Sequence, residues 1–148
     1  MTDPLRRVLI VDDDPEVRRI LATALRLKSL QIDEAQDGAS AIDMLRSNNY
    51  AVVLLDIMMP GVDGFGVLEA IGTEPDPPVV LVVSGAGKQV LDRVDTSKIH
   101  GIVKKPFDPL EIADVVAACA DIRGRSGFET MAYATLLGGS SLIAFLRL

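Results

Sequence analysis

A doubly wound α/β domain on a five-stranded parallel sheet is the fold class this sequence predicts, and three observations lead to it. Short apolar runs recur at Val8–Val11, Ala51–Leu55, Val79–Val83 and Ile102–Val103. None alternates apolar with polar, which is the pattern of strands buried on both faces. Segments with helical spacing separate these runs, so the elements follow one another as a repeated βα unit. Size is the third observation: 148 residues, 49% hydrophobic and 24% charged, suit one packed domain with little chain left over.

The first strand, Val8–Val11, leads to Asp14 as N-cap and Pro15 at the first helical position. Val17, Ile20, Leu21 and Ala24 then fall on one helical face at i, i+3, i+4 and i+7. A short second strand lies near Gln31–Ala35. The second helix runs from Ala39 to about Ser47, with Ala41, Ile42 and Leu45 facing inward, and Asn48 and Asn49 end it. After the third strand, Ala51–Leu55, the third helix begins past Asp63 and Gly64 and stops before the loop from Pro75 to Pro78. A weakly patterned fourth helix near Lys88–Val94 follows the fourth strand, Val79–Val83. The fifth helix repeats the device of the first, with Asp108 as N-cap, Pro109 behind it, and Ile112, Val115, Val116 and Cys119 on one face. Strand order 2-1-3-4-5 would set the first and third strands side by side. Their carboxyl ends then flank the switch in strand order where such sheets bind ligands.

The formal charge is -6, and it is unevenly spread: residues 1–121 hold 12 basic and 20 acidic side chains, residues 122–148 hold 3 and 1. No basic surface is large enough to neutralise several phosphates, which argues against nucleic acid as a partner. The single cysteine, Cys119, cannot form an internal disulfide. Met1, Thr2, Asp3 and Pro4 do not open a secretory segment, so a reducing, cytoplasmic setting is expected.

Chemistry gathers at the predicted strand ends. The first strand runs into Asp12, Asp13 and Asp14, the third into Asp56, the fourth into Ser84 and Gly85, and the fifth into Lys104, Lys105 and Pro106. Converging carboxylates repel one another and are expected to bind a hard divalent cation, Mg²⁺ being the natural one, or to hold a proton. A cation held by few carboxylates keeps positions for water and a phosphoryl oxygen, and a lysine can neutralise a further oxygen. An aspartate in such a site can attack phosphorus to give an acyl phosphate. Asp14 reads as the helix cap rather than a ligand. His100 has no second ligand at metal spacing and reads as a surface or loop residue, and Cys119 as a small core residue.

Four strings, VLIVDDDPEVRR at 8–19, LLDIMMPGVDG at 54–64, VVSG at 82–85 and KPF at 105–107, come in order at the ends of the predicted strands. Over residues 5–121 the chain resembles the receiver domain of two-component response regulators. That resemblance implies a flavodoxin-like (βα)5 fold with Asp56 as phospho-acceptor. Asp12, Asp13, Asp56 and the backbone carbonyl of Met58 would bind Mg²⁺, Ser84 would be the switch hydroxyl, and Lys105 would pair with the phosphate. It also implies a cis Lys105–Pro106 bond, a sensor histidine kinase or histidine phosphotransfer protein as donor, and a downstream protein as target. The rival readings are an aspartate-nucleophile phosphohydrolase and a receiver-like interaction module without phosphorylation. Against the first, the position two residues after Asp56 carries Met58 where such hydrolases place an acid; against the second, the acids and the lysine are all present.

The sequence departs from the family pattern at Ile102, where an aromatic residue is usual, and across residues 87–100, which lack the alanine-rich pattern that usually leads into the fifth strand. Residues 122–148 form a short apolar tail with no recognisable output domain. Docking on the receiver, a homodimer through the tail, the start of a longer protein, and membrane association are its alternative fates. Gly138 and Gly139 could hinge two short helices, and with Ser140 and Ser141 they interrupt any spanning helix, so a membrane role is disfavoured.

Overall fold

The structure, a computed structural model, describes residues 6–123 together with the pair 142–143. The chain runs β1 (Arg7–Val11), α1 (Pro15–Arg26), β2 (Gln31–Ala35), α2 (Gly38–Ser47), β3 (Val52–Leu55), α3 (Gly64–Gly72), β4 (Val79–Ser84), α4 (Lys88–Leu91), β5 (Gly101–Lys104), α5 (Pro109–Arg123) and β6 (Leu142–Ile143). Across the sheet the order is β2-β1-β3-β4-β5-β6. The first five strands are parallel in the expected order, and β6 joins β5 antiparallel.

Successive side chains of a strand point to opposite faces, so each apolar run feeds two cores. Val8, Ile10, Val52, Leu54, Val79, Leu81, Val83 and Val103 pack with Leu21 and Leu25 of α1 and with Ile112, Val116 and Cys119 of α5. On the other face Leu9, Val11, Val53, Leu55, Val80 and Val82 meet Ala41 and Leu45 of α2 and Val67, Leu68 and Ile71 of α3. Burying one such side chain is worth on the order of 1.5 to 3 kcal/mol. Every residue of β3 and β4 is buried, which is why those runs lack alternation. β2 is the half-buried edge and correspondingly polar.

Helix starts follow the caps. Asp14 accepts from the Glu16 N–H, Asp37 from Ser40, Asp63 from Gly66 and Asp108 from Leu110, at 2.9, 2.7, 3.2 and 2.9 Å. The Ser40 N–H bond holds the Asp37 carboxyl below its ordinary pKa. α4 has no such cap: Gly87 precedes it, and it stops at Leu91 rather than Val94. Asp95 instead accepts from the Ser97 N–H and caps a separate 3₁₀ turn, Thr96–Lys98.

Some expectations need correction. Ile20 does not face inward but is 43% exposed. The buried stripe of α1 runs through Leu21, Ala24 and Leu25, and Ile20 lies about 100° around the helix from Leu21. Ile42 does pack against the core, partly buried. α2 begins at Gly38 rather than Ala39; a Cβ at Gly38 would clash with the Val62 carbonyl oxygen. His100 is a loop residue just before β5, as expected, half-buried and bonded to β4: its Nδ1 accepts from the Val80 N–H at 2.9 Å, and its backbone N–H donates to Val80 O at 2.8 Å. Cys119 is fully buried as expected, and burial pushes its thiol up to about 12. α5 continues to Arg123, two residues past the expected end of the receiver. In the tail β6 stands at 142–143, which the sequence had not suggested; the expected helices, hinge and apolar packing otherwise lie outside the described residues. No helix among the described residues is long and apolar enough to cross a membrane.

Candidate functional site

Three strand ends deliver the site. Asp12, 2% exposed, follows β1; its N–H donates to Ala35 O at 3.2 Å and its Oδ1 accepts from the Asp14 N–H at 2.9 Å. Asp56, 6% exposed, follows β3; its N–H donates to Val11 O at 2.9 Å and its Oδ1 accepts from the Met58 N–H at 3.0 Å. Lys105 follows β5, its N–H donating to Ser84 O at 3.0 Å. Its Nζ reaches between the two acids, 2.7 Å from Asp12 Oδ2 and 3.4 Å from Asp56 Oδ2. The Lys105–Pro106 bond is cis.

Asp13 is exposed at the mouth. One carboxylate oxygen each of Asp12, Asp13 and Asp56 lies within 4.8 Å of the others. Adjacent ligands of an octahedral Mg²⁺ are about 3 Å apart and opposite ones about 4.2 Å, so these hard anionic donors suit that ion in type and number and would draw together to hold it. Asp14 is engaged as the α1 cap. Met58 stands beside Asp56 through its N–H, with its side chain 55% exposed.

Burial dominates the electrostatics of Asp56 and holds its carboxyl above the ordinary value, with the Asp12 charge adding to the rise. The Met58 N–H and the Lys105 ammonium work the other way without cancelling it. For Lys105, burial opposes the charged form, but the Asp12 and Asp56 carboxylates outweigh burial and hold the ammonium above its ordinary value. The pocket thus contains more negative charge than one lysine offsets, which favours an added cation.

Ser84, 1% exposed, lies at the end of β4, where its Oγ accepts from the Ala86 N–H at 3.1 Å. That bond is the turn-satisfying role open to any strand-end serine, and it leaves the hydroxyl proton to donate elsewhere. Lys104 is exposed, whereas Lys105 enters the pocket.

Two contributors escaped the sequence reading. Arg18 donates to the Asp12 carbonyl oxygen at 2.7 Å and pairs with Glu34 at 3.3 Å, fixing the loop that carries the acids. An arginine in a second helical turn reads as a solvated charge, so only its closeness to the DDD run could have drawn attention. Gly64 is the other: a Cβ there would lie 2.4 Å from Ile57 Cα and 2.6 Å from Asp56 O. Gly61, at φ +77°, makes the turn that brings the chain back.

Comparison with known proteins agrees with this geometry. Residues 8–117 match the family model described as the response regulator receiver domain. The chain is 34% identical over 114 residues to a probable transcriptional regulator, ycf27, of Porphyra purpurea, covering 76% of this chain and 46% of that protein. It is 35% identical over 107 residues to the transcriptional regulatory protein SrrA of Staphylococcus aureus, covering 71% and 44%. It spans about half the length of the curated relatives it matches. Among solved structures, the response regulator TrrA of Thermotoga maritima in complex with Mg²⁺-BeF is 29% identical at TM-score 0.69, covering 77% of this chain and 98% of that one. A CheY-like receiver domain protein from Methanospirillum hungatei shares the fold at TM-score 0.74 and 20% identity, covering 82% and 98%.

Proposed function

This chain belongs to the response regulator receiver family of two-component signalling, and from that premise we propose that it accepts a phosphoryl group on Asp56, with Mg²⁺ held beside it, and so switches a protein interaction. The observation that carries the reading is the placing of Asp56: a buried carboxylate with Asp12, Asp13 and the Lys105 ammonium gathered around it. The donor is a phosphohistidine of a sensor histidine kinase or histidine phosphotransfer protein.

An Asp56 Oδ attacks phosphorus, the P–N bond to the donor imidazole breaks with its electron pair passing to the ring nitrogen, and an acyl phosphate remains. Bound Mg²⁺ would supply positive charge to the transferring group, held by Asp12, Asp13, Asp56 and the Met58 carbonyl. Lys105 offers its ammonium to a second phosphoryl oxygen as a point charge, and the Ser84 hydroxyl can donate to a third. Met58 has no acid to activate water, so the chain is a stoichiometric acceptor rather than a hydrolase. Near the loop that follows Lys105, α1 and α5 leave a cavity of about 510 Å³ with Ile20, Leu27 and Leu110 on its wall. All three side chains are exposed, an apolar patch suited to a partner protein.

The test is incubation with Mg²⁺ and acetyl phosphate. One phosphoryl group per chain is expected, whereas sustained phosphate release with no bound label would mean a hydrolase. Asp13→Ala should weaken Mg²⁺ binding more than Asp14→Ala in a calorimetric titration, since Asp13 is in the carboxylate cluster and Asp14 caps α1. Asp14→Ala should instead cost about 0.5 to 2 kcal/mol of stability. Equal losses of affinity would contradict the assignment. Lys105→Met should keep Mg²⁺ binding and slow phosphorylation on the order of 10²-fold, the scale of losing one pre-placed stabilising group. An unchanged rate in stopped-flow labelling would remove Lys105 from the chemistry.

A further inference from the structure

β5 is the last parallel strand, and the outer edge of such a strand presents unpaired N–H and C=O groups. Here that edge is paired: Ile102 stands in register with Ile143 and Val103 with Leu142, antiparallel. The residue types at both register positions are apolar, the kind of cross-strand pairing that stabilises a ladder. Reach is not limiting. Residues 124–141 join α5 to β6, and at about 3.3 Å per residue they can span far more than the roughly 22 Å length of α5.

A cavity adjoins this edge. Because α4 stops after Leu91, a cavity of about 390 Å³ opens next to β5, floored by Leu91, Val94 and Ile102 and rimmed by Lys88, Asp92 and Lys104. A free strand edge beside an apolar cavity has the two parts of a strand-addition surface: backbone pairing gives affinity, and the cavity selects an apolar side chain. Ile102, the departure from the family pattern, lies in both parts, as a register partner of β6 and as a wall of the cavity.

We propose that the outer edge of β5 with its adjoining cavity is a β-strand-addition site, and that the chain's own segment around Leu142–Ile143 occupies it in cis, closing it to any other extended apolar peptide. The occupant is tethered, so its effective concentration is in the millimolar range, and a free peptide competes poorly. This inference does not depend on phosphorylation at Asp56.

The test uses the full chain carrying Leu142→Pro and Ile143→Pro together, which removes both backbone donors of β6. Hydrogen exchange is followed at whichever of the Ile102 and Val103 amides faces away from β4. In the parent that amide should be protected, and in the variant it should exchange about ten-fold faster or more. A synthetic peptide of residues 139–147, added at about 50 μM, far below the effective concentration of the tethered segment, should restore protection to the variant and leave the parent unchanged. A thermal melt matching the parent's establishes that the variant is folded. If the variant melts early, the peptide arm is run on the parent, where lack of binding to the edge is expected and binding overturns occupancy in cis. Equal exchange in parent and variant would overturn the proposal. So would protection that rises with protein concentration alongside dimer formation in sedimentation, since a second copy would then be the occupant.

Discussion

Asp56→Asn is expected to take up no phosphoryl group from acetyl phosphate while melting at a higher temperature than the parent at neutral pH. The first effect follows from removing the attacking oxygen: a neutral amide beside Asp12 and Lys105 keeps the shape of the site without its nucleophile. The second follows from electrostatics. Burial, with help from Asp12, holds the Asp56 carboxyl above its ordinary value, so the folded state binds the proton more tightly than the unfolded chain does. Such a group's contribution to stability is fully present below the unfolded pKa of about 3.9 and is lost as pH rises through the folded value. Asparagine stays neutral throughout, and Lys105 keeps its 2.7 Å partner, Asp12. The melting difference should therefore be small near pH 4, widen as the pH rises, and level off once Asp56 is ionised. Scanning calorimetry across that range checks it; a variant less stable than the parent at pH 7 would mean the carboxylate is stabilised in place.

Gly64→Ala is expected to be among the most damaging single-methyl changes in the domain. The added Cβ would meet Ile57 Cα and the Asp56 carbonyl oxygen, both backbone, at 2.4 and 2.6 Å. A flexible side chain could turn aside, but these atoms can move only if the loop from β3 to α3 moves with them. Overpacking typically costs about 1 to 3 kcal/mol, and two backbone clashes put this case at about 3 kcal/mol or above. The same loop carries Met58, whose N–H orients Asp56, so Mg²⁺ affinity should fall together with stability. Urea unfolding paired with a Mg²⁺ titration separates the two readouts. A loss under about 0.5 kcal/mol would show that the loop relaxes freely.

What could be read in the sequence follows from how locally each feature is encoded. The central strands were legible because burial on both faces demands unbroken apolar runs, as at Val52–Leu55 and Val79–Ser84. Asp12 and Asp56 were legible because each directly follows such a run, and Lys105 because it directly follows β5, so the order of elements alone brings them to one end of the sheet. Arg18 was not, because its role is a bond to the Asp12 backbone carbonyl, and no side-chain pattern marks a carbonyl that needs a donor. Gly64 depended on a close approach made by a loop, which spacing does not reveal. α4 was misjudged in length because the segment Lys88–Val94 carries only a weak pattern to mark its end, while the missing cap and the competing turn at Asp95 ended it early. β6 was illegible for a different reason: two residues carry no period, and what pairs them is the backbone edge of a strand 40 residues earlier.

The most direct test of the central claim is to locate the phosphoryl group in the unmodified chain. After incubation with Mg²⁺ and acetyl phosphate, the acyl phosphate is reduced with borohydride, the chain is digested, and the altered residue is read by mass spectrometry. One modification, at Asp56 and dependent on Mg²⁺, is the predicted result. Modification at Asp12 or Asp13 with Asp56 untouched, or none under conditions where the chain is folded and binds Mg²⁺, would contradict it.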